Sequence, residues 1–357
     1  MYWKRILHIF AIAAAVSMAA AEEPPAFTVA WSIYVGWNPY HYMARSGILR
    51  KWADKYNVRI RVQRFDYAPS VEAFVAKNVD ACTMTNMEAL DMPAASGVDS
   101  TAIVVGDYSN GNDALLVRHG LSLRDLPGKH IMLVQKTVSE YLFERAFTLN
   151  GMQDQIRRVH LVNTSDSDIV TAFLSQDSEE AVVTWKPLVT QIARTRGIST
   201  VFDSSKIPGE ILDLLVVRTD VLNRPDGSGV RFAKAVTGAW YEVMSQFNHG
   251  GALAEKAIAG SAQASNDTVA SFREQLATTH LFSTPDSAES FAKSADMKAK
   301  MDLVRRFCFA HGLLGEGTAS ADDVAILYPD GSIQGRKDRV RLRFDAKYMA
   351  LAQGGKL

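Results

Sequence analysis

The residues of this chain best suited to chemistry are acids and aromatic rings set where predicted strands end. Trp37, Asn38 and Tyr40 follow the first apolar run, and Asn86 and Glu88 follow Ala81–Met84. Asp107 opens and Asp113 closes the densest polar segment, Asp107-Tyr108-Ser109-Asn110-Gly111-Asn112-Asp113. Trp185, in Thr184-Trp185-Lys186-Pro187, is the later counterpart of Trp37. Asp213 lies inside the apolar run Ile211-Leu212-Asp213-Leu214-Leu215. A carboxylate there is costly unless paired, so it calls for a structural Arg or Lys or for a bound cation. The other residues have structural alternatives as well. Trp37 would serve as core, Thr85 and Asn86 as helix caps, and Glu88 as a first-turn acid complementing the helix dipole. Lys136-Thr137-Val138-Ser139 precedes a predicted helix, whose start would either dock an anion or be capped by Thr137 or Ser139.

Motifs for other chemistries are missing. Gly128-Lys129 is followed by His130 and has the wrong spacing for a phosphate-binding loop, and Gly315-Glu316-Gly317 lacks the third glycine of a dinucleotide loop. There is no His-Glu-x-x-His, Gly-x-Ser-x-Gly or Cys-x-x-Cys, and the eight histidines show no ligand spacing. The expectation is a binding protein with no catalytic residues, no metal and no cofactor.

The elements that must hold these residues alternate. Strand-like runs at Phe27–Val35, Val58–Phe65, Ala81–Met84 and Thr101–Gly106 are separated by helical patterns, one starting with Asn38 as N-cap and Pro39 behind it. The rhythm restarts at His130–Val134, Val159–Val162, Ala181–Thr184 and Ile211–Arg218. A helix over Val138–Asn150 should end at Gly151, and Ser165 with Asp168 resembles a capping box. From Gly229 to about His311 the periodicity is helical. The pattern predicts an α/β protein of two lobes, each a mainly parallel sheet with flanking helices, and a helical C-terminal region. Lobe 1 is expected over 27–114 plus 217–357 and lobe 2 over 115–216. Two crossings, near Leu115–Val117 and Leu214–Val217, would form a hinge facing a shared cleft.

Composition narrows the function further. The 357 residues carry 39 Lys+Arg against 39 Asp+Glu, so no broad basic surface for nucleic acid is expected. Residues 1–21 read as a secretory signal peptide: Lys4 and Arg5, an apolar run, then Ala19-Ala20-Ala21. Cys82 and Cys308 are expected to be separate buried thiols.

In these features the chain resembles periplasmic substrate-binding proteins of ABC uptake transporters, of type II fold. It is most similar to their nitrate, taurine and sulfonate group, and within it to the branch associated with urea carboxylase-type enzymes, acting on urea or guanidine. The resemblance is carried by Trp37-Asn38-Pro39-Tyr40, by the stretches 83–90 and 105–113, by Thr184-Trp185-Lys186-Pro187, and by Arg339-Val340-Arg341-Leu342-Arg343-Phe344-Asp345. It implies a periplasmic location, a cognate permease in the inner membrane, and capture of a small nitrogen compound by closure of two lobes. Anion-binding relatives favour glycine- and serine-rich turns at helix starts, whereas here the strand ends offer Glu88, Asp107, Asp113 and Asp213. A planar guanidinium ion suits such carboxylates. The expected contacts are Asp113 and Glu88 as charge partners with Asp213, Trp37 and Trp185 as walls, and Asn86 and Tyr40 as the rest of the polar shell. Urea, or a sulfonate or nitrate anion held near Thr137 and Ser139, is the alternative ligand. An enzyme of pyrimidine biosynthesis and a sensor module are alternatives on the same fold.

Overall fold

A computed structural model describes residues 23–357, so the expected signal peptide lies outside the described residues. Strands β1 (Ala26–Trp31), β2 (Arg59–Arg64), β3 (Ala81–Thr85) and β4 (Ser100–Ser109) alternate with helices, as the hydrophobic spacing predicts. The chain then crosses into a second sheet made of β5 (Asp113–Arg118), β6 (His130–Leu133), β7 (His160–Asn163), β8 (Ala181–Trp185) and β9 (Ile198–Asp203), in the order β7-β6-β8-β5-β9. β10 (Leu212–Arg218) returns to the first sheet. That sheet is completed by β11 (Thr279–Leu281), β12 (Ala325–Leu327), β13 (Ile333–Gln334) and β14 (Val340–Phe344). Among the described residues its order is β13-β12-β14-β4-β10-β3-β1-β2, with β11 also on β4.

Both sheets are mainly parallel at their centres, with one strand reversed. β2, β1 and β3 run parallel, and β10 lies antiparallel between β3 and β4. β7, β6 and β8 run parallel, and β5 lies antiparallel between β8 and β9. The reversed strand is in each case the first one after a crossing, because the chain enters the sheet from the cleft side. Helices cover the sheets, the longest being Ser228–His249, whose Phe232, Ala235, Val236, Ala239, Trp240 and Val243 are buried.

Several local expectations need correction. The strand Leu212–Arg218 belongs wholly to the larger sheet, so the crossings fall at 109–113 and 203–212, not near Leu115–Val117 and Leu214–Val217. An apolar run is buried on either side of a crossing, so hydrophobicity does not mark where the chain changes sheets. The C-terminal region is helical but also supplies four short strands, too short for a period to show. The first strand stops at Trp31 because the chain turns: the amides of Trp37 and Asn38 both donate to the Tyr34 carbonyl at 2.9 Å. Trp37, not Asn38, is then the residue at the helix cap, with Pro39 inside the first turn. Asp168 makes no capping bond to the helix Ile169–Ser175 and instead accepts from the Ser165 hydroxyl at 2.7 Å. The end of the helical region read to about His311 is two helices, Pro285–Ala292 and Ala295–Ala310, the second capped by Ser294. Cys82 and Cys308 are both buried free thiols.

Asn86 is a structural tie, not a cleft residue. Its side chain donates to the Glu210 carbonyl at 3.0 Å and accepts from the Leu212 amide at 3.0 Å. It thereby pins the return crossing to the end of β3. Asn86→Ala would strand a buried amide and a buried carbonyl, and is expected to lower stability by about 2–3 kcal/mol. Urea denaturation of the variant, read as a fall in the midpoint at unchanged slope, checks this.

Candidate functional site

The two crossings are bonded to each other. The hydroxyls of Ser109 and Ser204 lie 2.7 Å apart, the Gly111 amide donates to Ser204 at 2.7 Å, and the Asp113 amide donates to Ser109 at 3.2 Å. Gly111 has φ +116°, a conformation that glycine takes without strain, and a Cβ there would meet the Thr278 side chain at 3.3 Å. Asn112 anchors the same turn by donating to the Thr278 carbonyl at 2.9 Å. Asp113 therefore opens β5 at a fixed point between the sheets.

A small cavity lies at that point. Tyr34, Trp37, Tyr67, Thr85, Asp113, Val138, Trp185, Ile211 and Asp213 line it, drawn from both sheets, and about 20 Å³ is open to the centres of water-sized atoms. That is room for about one or two water-sized atoms. Four rings form a continuous wall. Tyr34 and Trp37 are 5.1 Å apart between centroids, Trp37 and Tyr67 5.3 Å, and Tyr67 and Trp185 5.6 Å. The Trp185 indole nitrogen reaches across to the Ile33 carbonyl at 3.4 Å, whereas that of Trp37 is buried without a partner.

The floor is acidic. Asp213 on β10 stands directly opposite Asp107 on β4 and Thr85 on β3. Two ionised carboxylates facing each other across a ladder repel, and this pair answers by sharing one proton in a hydrogen bond, held on Asp213. Asp107 accepts from the Tyr34 hydroxyl at 3.2 Å, while its Oδ2 and that of Asp213 are buried with no other partner. Gly36 makes room for this carboxylate, since a Cβ on it would lie 2.0 Å from Asp107 Oδ2. Among the described residues none of Glu88, Asp107, Asp113 and Asp213 forms an ion pair. Burial pushes the Asp113 carboxyl up to about 7. Asp213 is raised well above the usual carboxylate range by burial, then by the Asp107 charge. Burial and the neighbouring acids also raise the Tyr34 phenol, which stays a donor. Among the described residues no group of three His, Cys, Asp or Glu side chains is placed to hold a metal ion.

The structure thus brings together four of the residues singled out in the sequence: Trp37, Asp113, Trp185 and Asp213. Glu88 lies behind the wall, accepting from the Tyr67 hydroxyl at 2.6 Å, from the Thr85 hydroxyl, and from the Val138 amide at 3.1 Å. Its carboxylate is engaged by protein donors, so it is not placed as a direct charge partner. Tyr40 stacks on Trp240 at 5.1 Å inside the larger lobe, away from the cavity. Thr137 caps its helix, accepting from the Ser139 amide at 3.2 Å and donating to the Val134 carbonyl at 2.7 Å. Tyr34 and Tyr67 are wall residues that the sequence reading passed over. Tyr67 follows the second strand as Trp37 follows the first, so the strand-end rule would have found it. Tyr34 was hidden inside a run read as strand.

No protein-family model matches the sequence, and no curated protein gives a significant match. Solved structures do match the fold. The alkanesulfonate-binding protein SsuA from Xanthomonas axonopodis pv. citri, bound to MOPS, aligns with TM-score 0.66 at 16% identity, over 82% of this chain and 96% of its own. The periplasmic aliphatic sulphonate-binding protein SsuA from Escherichia coli aligns with TM-score 0.64 at 15% identity, over 82% and 94%. The ligand-binding component of an ABC-type import system from Staphylococcus aureus, with zinc bound, aligns with TM-score 0.57 at 12% identity, over 81% and 92%. The chain has the α/β fold of periplasmic binding proteins, and the same fold holds ligands as different as MOPS and zinc.

The acidic floor gives the empty protein a characteristic pH response. An acid whose folded pKa is raised contributes stability below its unfolded pKa, near 3.8, and loses it as pH rises through about 7. The ligand-free protein is therefore expected to melt at lower temperature at pH 8 than at pH 5. Asp113→Asn should flatten that slope, which melting curves of both proteins across the range would show.

Proposed function

We propose that this protein is the periplasmic solute-binding component of an ABC uptake system, and that its ligand is guanidinium or a close analogue held between the lobes. The observation that carries the reading is the cavity itself: buried Asp113 and Asp213, without a basic partner, inside a box of four aromatic rings. A guanidinium ion supplies the missing positive charge and donates in a planar fork that carboxylates accept. Its face can stack on Trp37 or Trp185, worth about 2 kcal/mol when desolvated. With four heavy atoms it needs far less room than MOPS, the ligand of one structural neighbour. A bound cation would favour the ionised forms of Asp107, Asp113 and Asp213, drawing off the protons that burial holds there, which ties binding to pH. The site is read as a receptor, on the likeness of its fold to binding proteins. Delivery would be to a permease in the inner membrane. Among the described residues no helix is long and apolar enough to cross a membrane.

Two observations favour other ligands. The unpartnered Trp37 indole nitrogen would suit the carbonyl of urea, which still donates to the acids. The sulfonate-binding neighbours favour a small sulfonate, although carboxylates lining the cavity would repel it.

Thermal shift and calorimetry with guanidinium, urea, methanesulfonate and nitrate separate these. Guanidinium alone is expected to stabilise the protein, by about 2.7 kcal/mol at 100 times its dissociation constant. Binding should weaken from pH 8 to pH 5 as the carboxylates take protons. Asp113→Asn should weaken it by about tenfold or more. Undiminished binding by that variant, or stabilisation by an anion instead, refutes the cation reading.

A further inference from the structure

The helix Val138–Leu149 begins at the cavity wall, and its exposed amides are the obvious seat for an anionic ligand. None of those amides is free. The Val138 amide donates to Glu88 Oε1 at 3.1 Å, and the Ser139 amide to the Thr137 hydroxyl at 3.2 Å. The amides of Glu140 and Tyr141 donate to the Thr137 carbonyl at 2.9 and 3.3 Å. Three of these four bonds are made by the capping residue just before the helix. The fourth is made by a carboxylate from the other lobe, 50 residues earlier in the chain.

The other contacts of Glu88 bear on the cavity too. Its second oxygen takes the hydroxyls of Tyr67 and Thr85. The Tyr67 hydroxyl in turn accepts from the Thr85 amide at 3.0 Å. Tyr67, Thr85 and Val138 all line the cavity, so one buried side chain orders three wall residues from two lobes.

From this we infer that Glu88 is the chain's own anion at the start of helix Val138–Leu149, filling the seat an anionic ligand would need and fixing the cavity wall across the cleft. It is a positioning and specificity-determining residue. Small anions are excluded because the helix start is already satisfied. The inference rests on the proposed function only for the identity of the ligand; occupation of the seat is independent of it.

Glu88→Ala empties the seat, and formate, the smallest carboxylate, is the probe. Formate is expected to raise the melting temperature of Glu88→Ala by several degrees and to leave the wild-type protein and Glu88→Gln unchanged. Gln keeps an oxygen on the Val138 amide but turns a donor toward the Tyr67 and Thr85 hydroxyls, so its guanidinium affinity should fall between those of the wild type and Glu88→Ala, and formate should not change it. Glu88→Ala should lose about tenfold and regain it with formate. Methanesulfonate should bind Glu88→Ala more tightly than the wild type. Should Glu88→Ala not melt cooperatively, Glu88→Ser carries the same measurements. No effect of formate on the emptied variant, or an equal effect on the wild type, overturns the inference. Formate rescue of stability in a protein whose wild type ignores guanidinium would instead sink the proposed ligand and leave the role of Glu88 standing.

Discussion

Asp213 and Asp107 face each other across neighbouring strands at the centre of the larger sheet, with no base beside them. Burying one unpaired carboxylate is unfavourable, and burying two in register is more so. Much of the surrounding structure serves to hold this arrangement. Gly36 lacks a side chain where Asp107 needs space, Tyr34 donates to it, and the crossing Asn110–Asn112 brings Asp113 onto the same cavity. A domain selected only for stability would place apolar residues at such positions. Acids kept there are held toward their protonated forms, Asp213 most of all, and Asp107 and Asp213 share a hydrogen bond with each other.

The wall around the acids is built by bonds between distant segments. Asn86 ties the end of β3 to the return crossing, and Ser109 with Ser204 ties the two crossings together. Glu88 joins the helix start of one lobe to the tyrosine and threonine of the other. His311 and Glu144, 2.5 Å apart, and the ring pair Tyr141–Phe307 at 5.1 Å add contacts between the lobes beyond the cavity. Of these ties, the bonds of Glu88 reach the cavity wall itself, at Tyr67, Thr85 and Val138.

The structural neighbours share this scaffold at 12–16% identity while differing in what they hold. The α/β fold is the common part. The ligand is chosen by whichever side chains the strand ends present, and here these are acids and aromatic rings.

The sequence by itself determined the fold class and pointed to four residues that the structure brings to one cavity. Alternating strand and helix periodicities are local, because each element shows its buried face in residues two to four apart. Strand ends are then where a ligand sits in an open α/β sheet, which was enough to find Trp37, Asp113, Trp185 and Asp213. Only the tertiary structure decided what each polar residue does there. Asn86 and Glu88 sit in one polar stretch of sequence, yet one bonds the return crossing 124 residues later and the other meets a helix start 50 residues later. Tyr40 looks like a wall residue and packs in the core against Trp240. Tyr34 lies in an apolar run with the pattern of a strand, yet it turns into the cavity. The reason is that a side chain's partner is set by distances across the fold, and a linear pattern carries no record of them.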